Sequence, residues 1–188
     1  MKYTLFISAA AALALSACSD GTDSAATAEA TATDTAMAEP AAATAEAGAA
    51  TTAQGFVDQA SASDMFEIES GKLAQQMGKS QSVKDFGAMI EKDHTKSSAD
   101  LKTAAGSATG VTVAPKLTAM QQSNLDALKN AGDNFDATFK QQQVQAHEMA
   151  LSLLQGYAQN GDTEALKAFA TKTAPVIEGH LAEARALK

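Results

Sequence analysis

A single cysteine, Cys18, excludes an internal disulfide, so that residue needs another explanation. Tryptophan is absent and aromatics make up only 5% of the 188 residues, so the core is expected to be thin. The apolar fraction is 45%, but much of it is alanine; the remaining payload is a few Phe, Leu, Ile, Val and Met at regular intervals, a pattern that suits helices and leaves almost no room for sheet. The Lys and Arg residues form no cluster, and a net charge of -8 argues against a phosphate-binding surface, so nucleic acid is excluded as a partner. No Gly-rich phosphate loop, nucleophile elbow or cysteine metal motif is present either. The length allows one domain.

The first fifty residues read as address and tether. Lys2, the apolar run from Leu5 to Leu15 and the small residues before Cys18 describe a secretory signal over 1–17, too short to span a bilayer permanently. Leu15-Ser16-Ala17-Cys18 resembles the bacterial lipobox, in which the cysteine is lipid-modified and becomes the mature N-terminus. The alternative is an ordinary signal peptide with an incidental cysteine. Several acyl chains, each methylene contributing about 0.8 kcal/mol, would hold the protein on a membrane. Ser19 after the cysteine favours the outer membrane in the sorting pattern this resembles. Residues 18–52 follow as a spacer, after Cys18 nearly all Ala, Thr, Ser, Gly and acids without one Lys or Arg, which cannot bury enough to offset its ordering entropy. As a coil it reaches on the order of 35 Å. Signal and tether carry -5 of the charge (Lys2 against six acids), so the domain over 53–188 is close to neutral at -3.

Four long helices are expected in that domain. The first carries the stripe Phe56, Ala60, Ser63, Phe66, Ser70, Leu73 and Met77 and ends near Gly78. Ser82, with Asp85 three residues on, is expected to cap the second, whose face runs through Val83, Phe86, Ile90, His94, Ser97 and Leu101. Residues 106–133 form a long connection with a short helix at Leu117, Met120, Leu125 and Leu128. Asp133 or Asn134 opens the third long helix, with Phe135, Phe139, Gln143, Ala146, Ala150, Leu153 and Tyr157 on one stripe and Val144, His147, Leu151 and Leu154 beside it. Asp162 is expected to cap the fourth, with Leu166, Phe169, Thr173, Ile177, His180, Ala184 and Leu187 inward; Pro175 must kink or divide it.

Two tightly joined helices, a long crossover and two more tightly joined helices make an all-α, four-helix up-down bundle with its long crossover between the second and third long helices, the arrangement of ferritin-like bundles among others. The residues themselves resemble the bacterial envelope family catalogued as domain of unknown function 4142. The matching positions are Phe56-Val57, Glu67 with Gly71-Lys72-Leu73-Ala74, Val83-Lys84 with Phe86, Asp93-His94, Phe135-Asp136, His147, Leu166-Lys167 with Phe169-Ala170, Pro175, and His180-Leu181, spread over about 54–188. The resemblance implies a ferritin-like helical domain facing the periplasm. It implies no activity.

The three histidines, His94, His147 and His180, fall in three different helices on or beside the apolar face. Ferritin-like di-iron centres use a Glu from each of two helices and a Glu-x-x-His from each of the other two, because spacing of three puts both ligands on one face. Here only Glu91 and His94 have that spacing, with Glu67 on the first helix; Glu178 and His180 are spaced by two, and His147 and Glu148 point about 100° apart. At about 1.5 Å per residue, Glu67, His94 and His147 come to one depth in the bundle, and His180 lies a turn or two away. The candidate metal set is therefore Glu67, Glu91, His94 and His147, with His180 as a possible ligand-pocket residue, and iron or manganese as the cofactor. The competing reading makes these core histidines, satisfied by a carboxylate such as Glu67. Asp93 and Glu148 are expected to face solvent, and Met65, Met77, Met89, Met120 and Met149 to fill the core.

Two functions follow. One is a periplasm-facing lipoprotein whose bundle is a non-enzymatic binding or envelope-interaction module, its partner an envelope protein or a small ligand. The other is a ferritin-like metal-binding protein in metal storage or peroxide defence. Either leaves the oligomeric state open.

Overall fold

The computed structural model describes residues 51–188. The signal, the lipobox with Cys18, and the tether up to residue 50 lie outside these residues. Helix α1 spans Ala53–Met77, α2 Gln81–Ala105, α3 Ala119–Lys129, α4 Phe135–Asn160 and α5 Glu164–Ala186, with a short 3-10 turn at Gly132–Asn134 before α4. Among the described residues there is no strand. The domain is an all-helical bundle: α1 packs on α2, α4 on α5, and the α1–α4 and α2–α5 contacts join the pairs.

Its apolar residues gather in two cores. Phe56, Val57 and Ala60 at the start of α1 meet Leu101 and Ala105 at the end of α2, Leu154 and Tyr157 late in α4, and Leu166 and Phe169 early in α5. Phe56 stacks on Tyr157, ring centroids 4.0 Å apart. The second core sits where α1 ends and α2 and α4 begin: Phe66, Ala74, Val83, Phe86, Ile90, Phe135 and Phe139, with Ala184 and Leu187 from the end of α5 and Leu125 and Leu128 from α3. Every histidine lies in neither cluster. They sit between the two.

Caps and turns differ from the sequence expectation where a distant partner decides. Ser80, not Ser82, caps α2, its hydroxyl accepting from the Val83 amide. The reason is Asp136 of α4, whose two carboxylate oxygens accept from the Lys79 and Ser80 amides at 2.8 Å and fix the turn one residue pair earlier. Asp162 does not cap α5; Thr163 occupies the cap position. Asp162 instead accepts from the Tyr157 hydroxyl at 2.9 Å and the Ala53 amide at 3.2 Å, tying the α4–α5 turn to the start of α1. Helix α5 runs unbroken through Pro175, which lies on its exposed side. Met120 of α3 and Met149 of α4, expected in the core, are 45% exposed and line the open cleft between these helices.

Helices α1 and α2 approach closely at two glycines. A Cβ on Gly71 would stand 2.6 Å from the Gly87 carbonyl oxygen, and one on Gly87 would stand 2.6 Å from Ala74 Cβ. Ala is favoured over Gly in a helix by about 1 kcal/mol, but overpacking costs about 1–3 kcal/mol and here the clash is with backbone. Gly71→Ala is therefore expected to lower the unfolding free energy by about 1–2 kcal/mol in urea denaturation; a more stable variant would show that the helices separate freely.

Candidate metal centre

His94 of α2, His147 of α4 and His180 of α5 meet in the gap between the two cores. Their ring centroids form a nearly equilateral triangle with sides of 5.7, 5.6 and 5.6 Å. All three are at most 5% exposed. One nitrogen of each ring, taken together, lies within 4.8 Å of the other two.

The outer nitrogens define the inner ones. His147 Nδ1 lies 2.8 Å from the Gln143 carbonyl oxygen, which can only accept, so Nδ1 carries the proton and Nε2 presents a lone pair. His94 Nδ1 lies 2.8 Å from Asp64 Oδ1, and His180 Nε2 lies 3.2 Å from Asp93 Oδ2; carboxylates also accept. The remaining atoms, His94 Nε2, His147 Nε2 and His180 Nδ1, are buried and have no hydrogen-bond partner. Three buried acceptors facing one another without a donor is a costly arrangement unless a proton or a cation sits among them.

Charge follows the same geometry. Burial opposes charging of His94, but the Asp64 hydrogen bond and the Glu67 carboxylate outweigh it and its pKa is raised. Burial and the His94 charge push His147 down to about 4, and burial with the His94 and His147 charges lowers His180. The triad thus accommodates one positive charge at a time. Glu67 of α1 completes the fourth side of the layer, 1% exposed, with Oε2 unpartnered. Burial pushes its carboxyl up to about 7, against the pull of His94. Its Oε1 lies 3.8 Å from His147 Nδ1; since that ring is neutral and its Nδ1–H is given to Gln143, the approach is not an ion pair.

Of the four residues expected to hold a metal, His94 and His147 stand in the triad, Glu67 stands beside it, and Glu91 does not approach it. Ile90 and His94 point inward, which turns Glu91 to the α1 flank, where its Oε2 accepts from Gln75. His180, expected a turn or two away, is a full member. Side chains lean toward the N-terminus of their own helix, and the start of α5 lies at the opposite end of the bundle from the starts of α2 and α4. The His180 ring therefore leans toward the other two and they toward it, which residue counting along the axis misses. Asp93 does not simply face solvent: it is the His180 partner, with a side chain 35% exposed. Glu148 is on the surface, paired with Arg185 at 2.7 Å.

Asp64 was not legible as a site residue. It lies one position off the expected stripe, three residues before Glu67, and only its α2 partners, His94 and Ser98 Oγ at 3.3 Å, account for its burial. A carboxylate one turn from a buried glutamate was the available signal. The carboxylate-bridged pair of a di-iron site does not fit this layer, which offers three imidazoles and one carboxylate beside them, a donor set for one ion at most.

No curated protein and no solved structure matches the chain. The family model described as "Domain of unknown function (DUF4142)" matches residues 36–187, and the chain belongs to that family.

Proposed function

We propose that the domain binds one divalent first-row transition metal ion through His94 Nε2, His147 Nε2 and His180 Nδ1. The observation that carries this is the convergence of three buried lone pairs, each with its opposite nitrogen already held by a hydrogen bond. That is the pattern of metal-ligating histidines, whose second nitrogen is fixed by a carboxylate or carbonyl. Bonds of about 2.1 Å at tetrahedral angles put nitrogens about 3.4 Å apart, so from its present span of 4.8 Å the triad would contract by about 1.4 Å. Three imidazoles suit iron(II), zinc, cobalt, nickel or copper better than manganese, which prefers oxygen. Glu67 offsets part of the cation's charge.

The way the helices share their ends supports a ferritin-like bundle built from α1, α2, α4 and α5, with the α3 segment as its crossover. A single ion in a layer of this size supports metal binding rather than bulk storage.

The test is metal analysis of the purified full chain after loading with Fe²⁺ or Zn²⁺. One equivalent per chain, lost in His147→Ala, is expected; sub-stoichiometric metal that the substitution leaves unchanged would end the reading. The domain is placed in the cell envelope, facing the periplasm on a lipid anchor at Cys18 with the outer membrane favoured, on the strength of the lipobox resemblance. Cys18→Ala is then expected to move the protein from the membrane to the soluble periplasmic fraction, and a variant that stays with the membrane would refute the anchor.

A further inference from the structure

A second feature lies one helical turn from the triad. A small cavity of about 20 Å³ is lined by Asp64, His94, Ser97, Ala150 and Ile177. Asp64 comes three residues before Glu67, Ser97 three after His94, Ala150 three after His147 and Ile177 three before His180. Ala60, Leu154 and Thr173, each seven residues from the same layer, line it as well, so the cavity runs from His94 away from the histidine layer over about two helical turns, on the side of the Phe56–Tyr157 core. On the opposite side the layer is closed by Phe86, whose ring centroid is 6.2 Å from that of His147.

The cavity also has a way out. A cleft of about 340 Å³ opens between α1, α3 and α4, and Ser63, Ala150 and Leu153 line both it and the cavity. No ionisable side chain lines the cleft, in a chain with a net charge of -8. A space of about 10–15 Å³ is enough for one water, so a cavity of about 20 Å³ suits a molecule of one or two heavy atoms.

Resting on the metal reading above, we infer that the cavity is the route by which an exogenous ligand reaches the bound ion beside His94, a neutral molecule of one or two heavy atoms such as water, dioxygen or hydrogen peroxide, admitted from the α1/α3/α4 cleft past Ala150 and Leu153. Three protein ligands leave a coordination position for such a molecule. The size of the cavity excludes organic substrates, and the uncharged cleft gives no attraction to anions.

The test uses the full chain loaded with Fe²⁺ under anaerobic conditions, nitric oxide as the neutral diatomic probe, and the half-integer-spin electron paramagnetic resonance signal of the ferrous nitrosyl as readout. Wild type is expected to give one nitrosyl per iron. Ala150→Leu, which narrows the passage, should form it about tenfold more slowly, the equivalent of about 1.4 kcal/mol in barrier, with iron content unchanged. Leu153→Ala, which widens the passage, should form it faster, and decides the matter alone if Ala150→Leu does not fold. Full iron loading without a nitrosyl, or one rate for wild type and variants, would overturn the inference while leaving metal binding intact. A wild-type chain that takes up no iron would overturn the metal reading itself.

Discussion

His94→Ala is expected to abolish metal uptake and to lower the unfolding free energy of the metal-free domain by about 3–5 kcal/mol, while His147→Ala abolishes uptake at a much smaller loss of stability. The difference lies in what each ring leaves behind. Asp64 is 5% exposed and keeps only the 3.3 Å contact from Ser98 Oγ when His94 is gone, so a buried carboxylate loses its main partner. His147 leaves the Gln143 carbonyl, a backbone acceptor inside α4. Since the His94 pKa is raised on folding, its stabilising contribution is complete below the ordinary histidine value near 6.5 and is lost as pH rises through the raised one. The stability deficit of His94→Ala should accordingly be larger at pH 6 than at pH 9. Urea denaturation of both variants in chelator, at the two pH values, checks this. Equal deficits for the two histidines would mean that Asp64 finds solvent or another donor.

The helices were legible because their apolar stripes repeat every three or four residues and are punctuated by Gly78, Gly106 and Gly161. What was not legible depends on the rotation and stagger of one helix against another. The Glu91–His94 spacing of three is necessary for a shared face but does not say which face turns inward; packing of Ile90 and Gly87 against α1 settles that, and Glu91 goes outward. The partners of the triad are on other helices or in the backbone: Asp64 serves His94 across α1 and α2, Asp93 serves His180 across α2 and α5, and Gln143 serves His147 through its carbonyl. Caps failed for the same reason, since Asp136 determines where α2 begins from 56 residues away.

Glu67→Gln is expected to change metal-free stability and metal affinity in opposite directions. The Glu67 carboxyl rises on burial from the ordinary value near 4.5 to about 7, so the folded state holds its proton where the unfolded state has released it. Stability from this group is complete below pH 4.5 and falls as pH rises to about 7, by on the order of 3 kcal/mol. His147, lowered to about 4, works the other way: the unfolded state takes up its proton first, so stability rises between pH 4 and 6.5, and His180, also lowered, adds to that rise. The two trends oppose each other in the wild type. Glutamine keeps the shape of Glu67 without the charge, so the Glu67 part of the fall disappears, the rise from His147 and His180 is exposed, and only the His94 fall above about pH 6.5 remains. At pH 8 and in chelator, the variant should be more stable than wild type by up to about 3 kcal/mol, and at pH 4 the two should agree. With a dication among the three rings, the same carboxylate is a buried compensating charge beside that of Asp64, and its loss should weaken binding by about ten- to a hundredfold. Denaturation across pH 4–8 without metal, and competition against a chelator of known affinity with Zn²⁺, measure the two effects on one preparation. A variant that is less stable at pH 8, or that holds zinc as tightly as wild type, would show that Glu67 is a packed core acid with no part in the site.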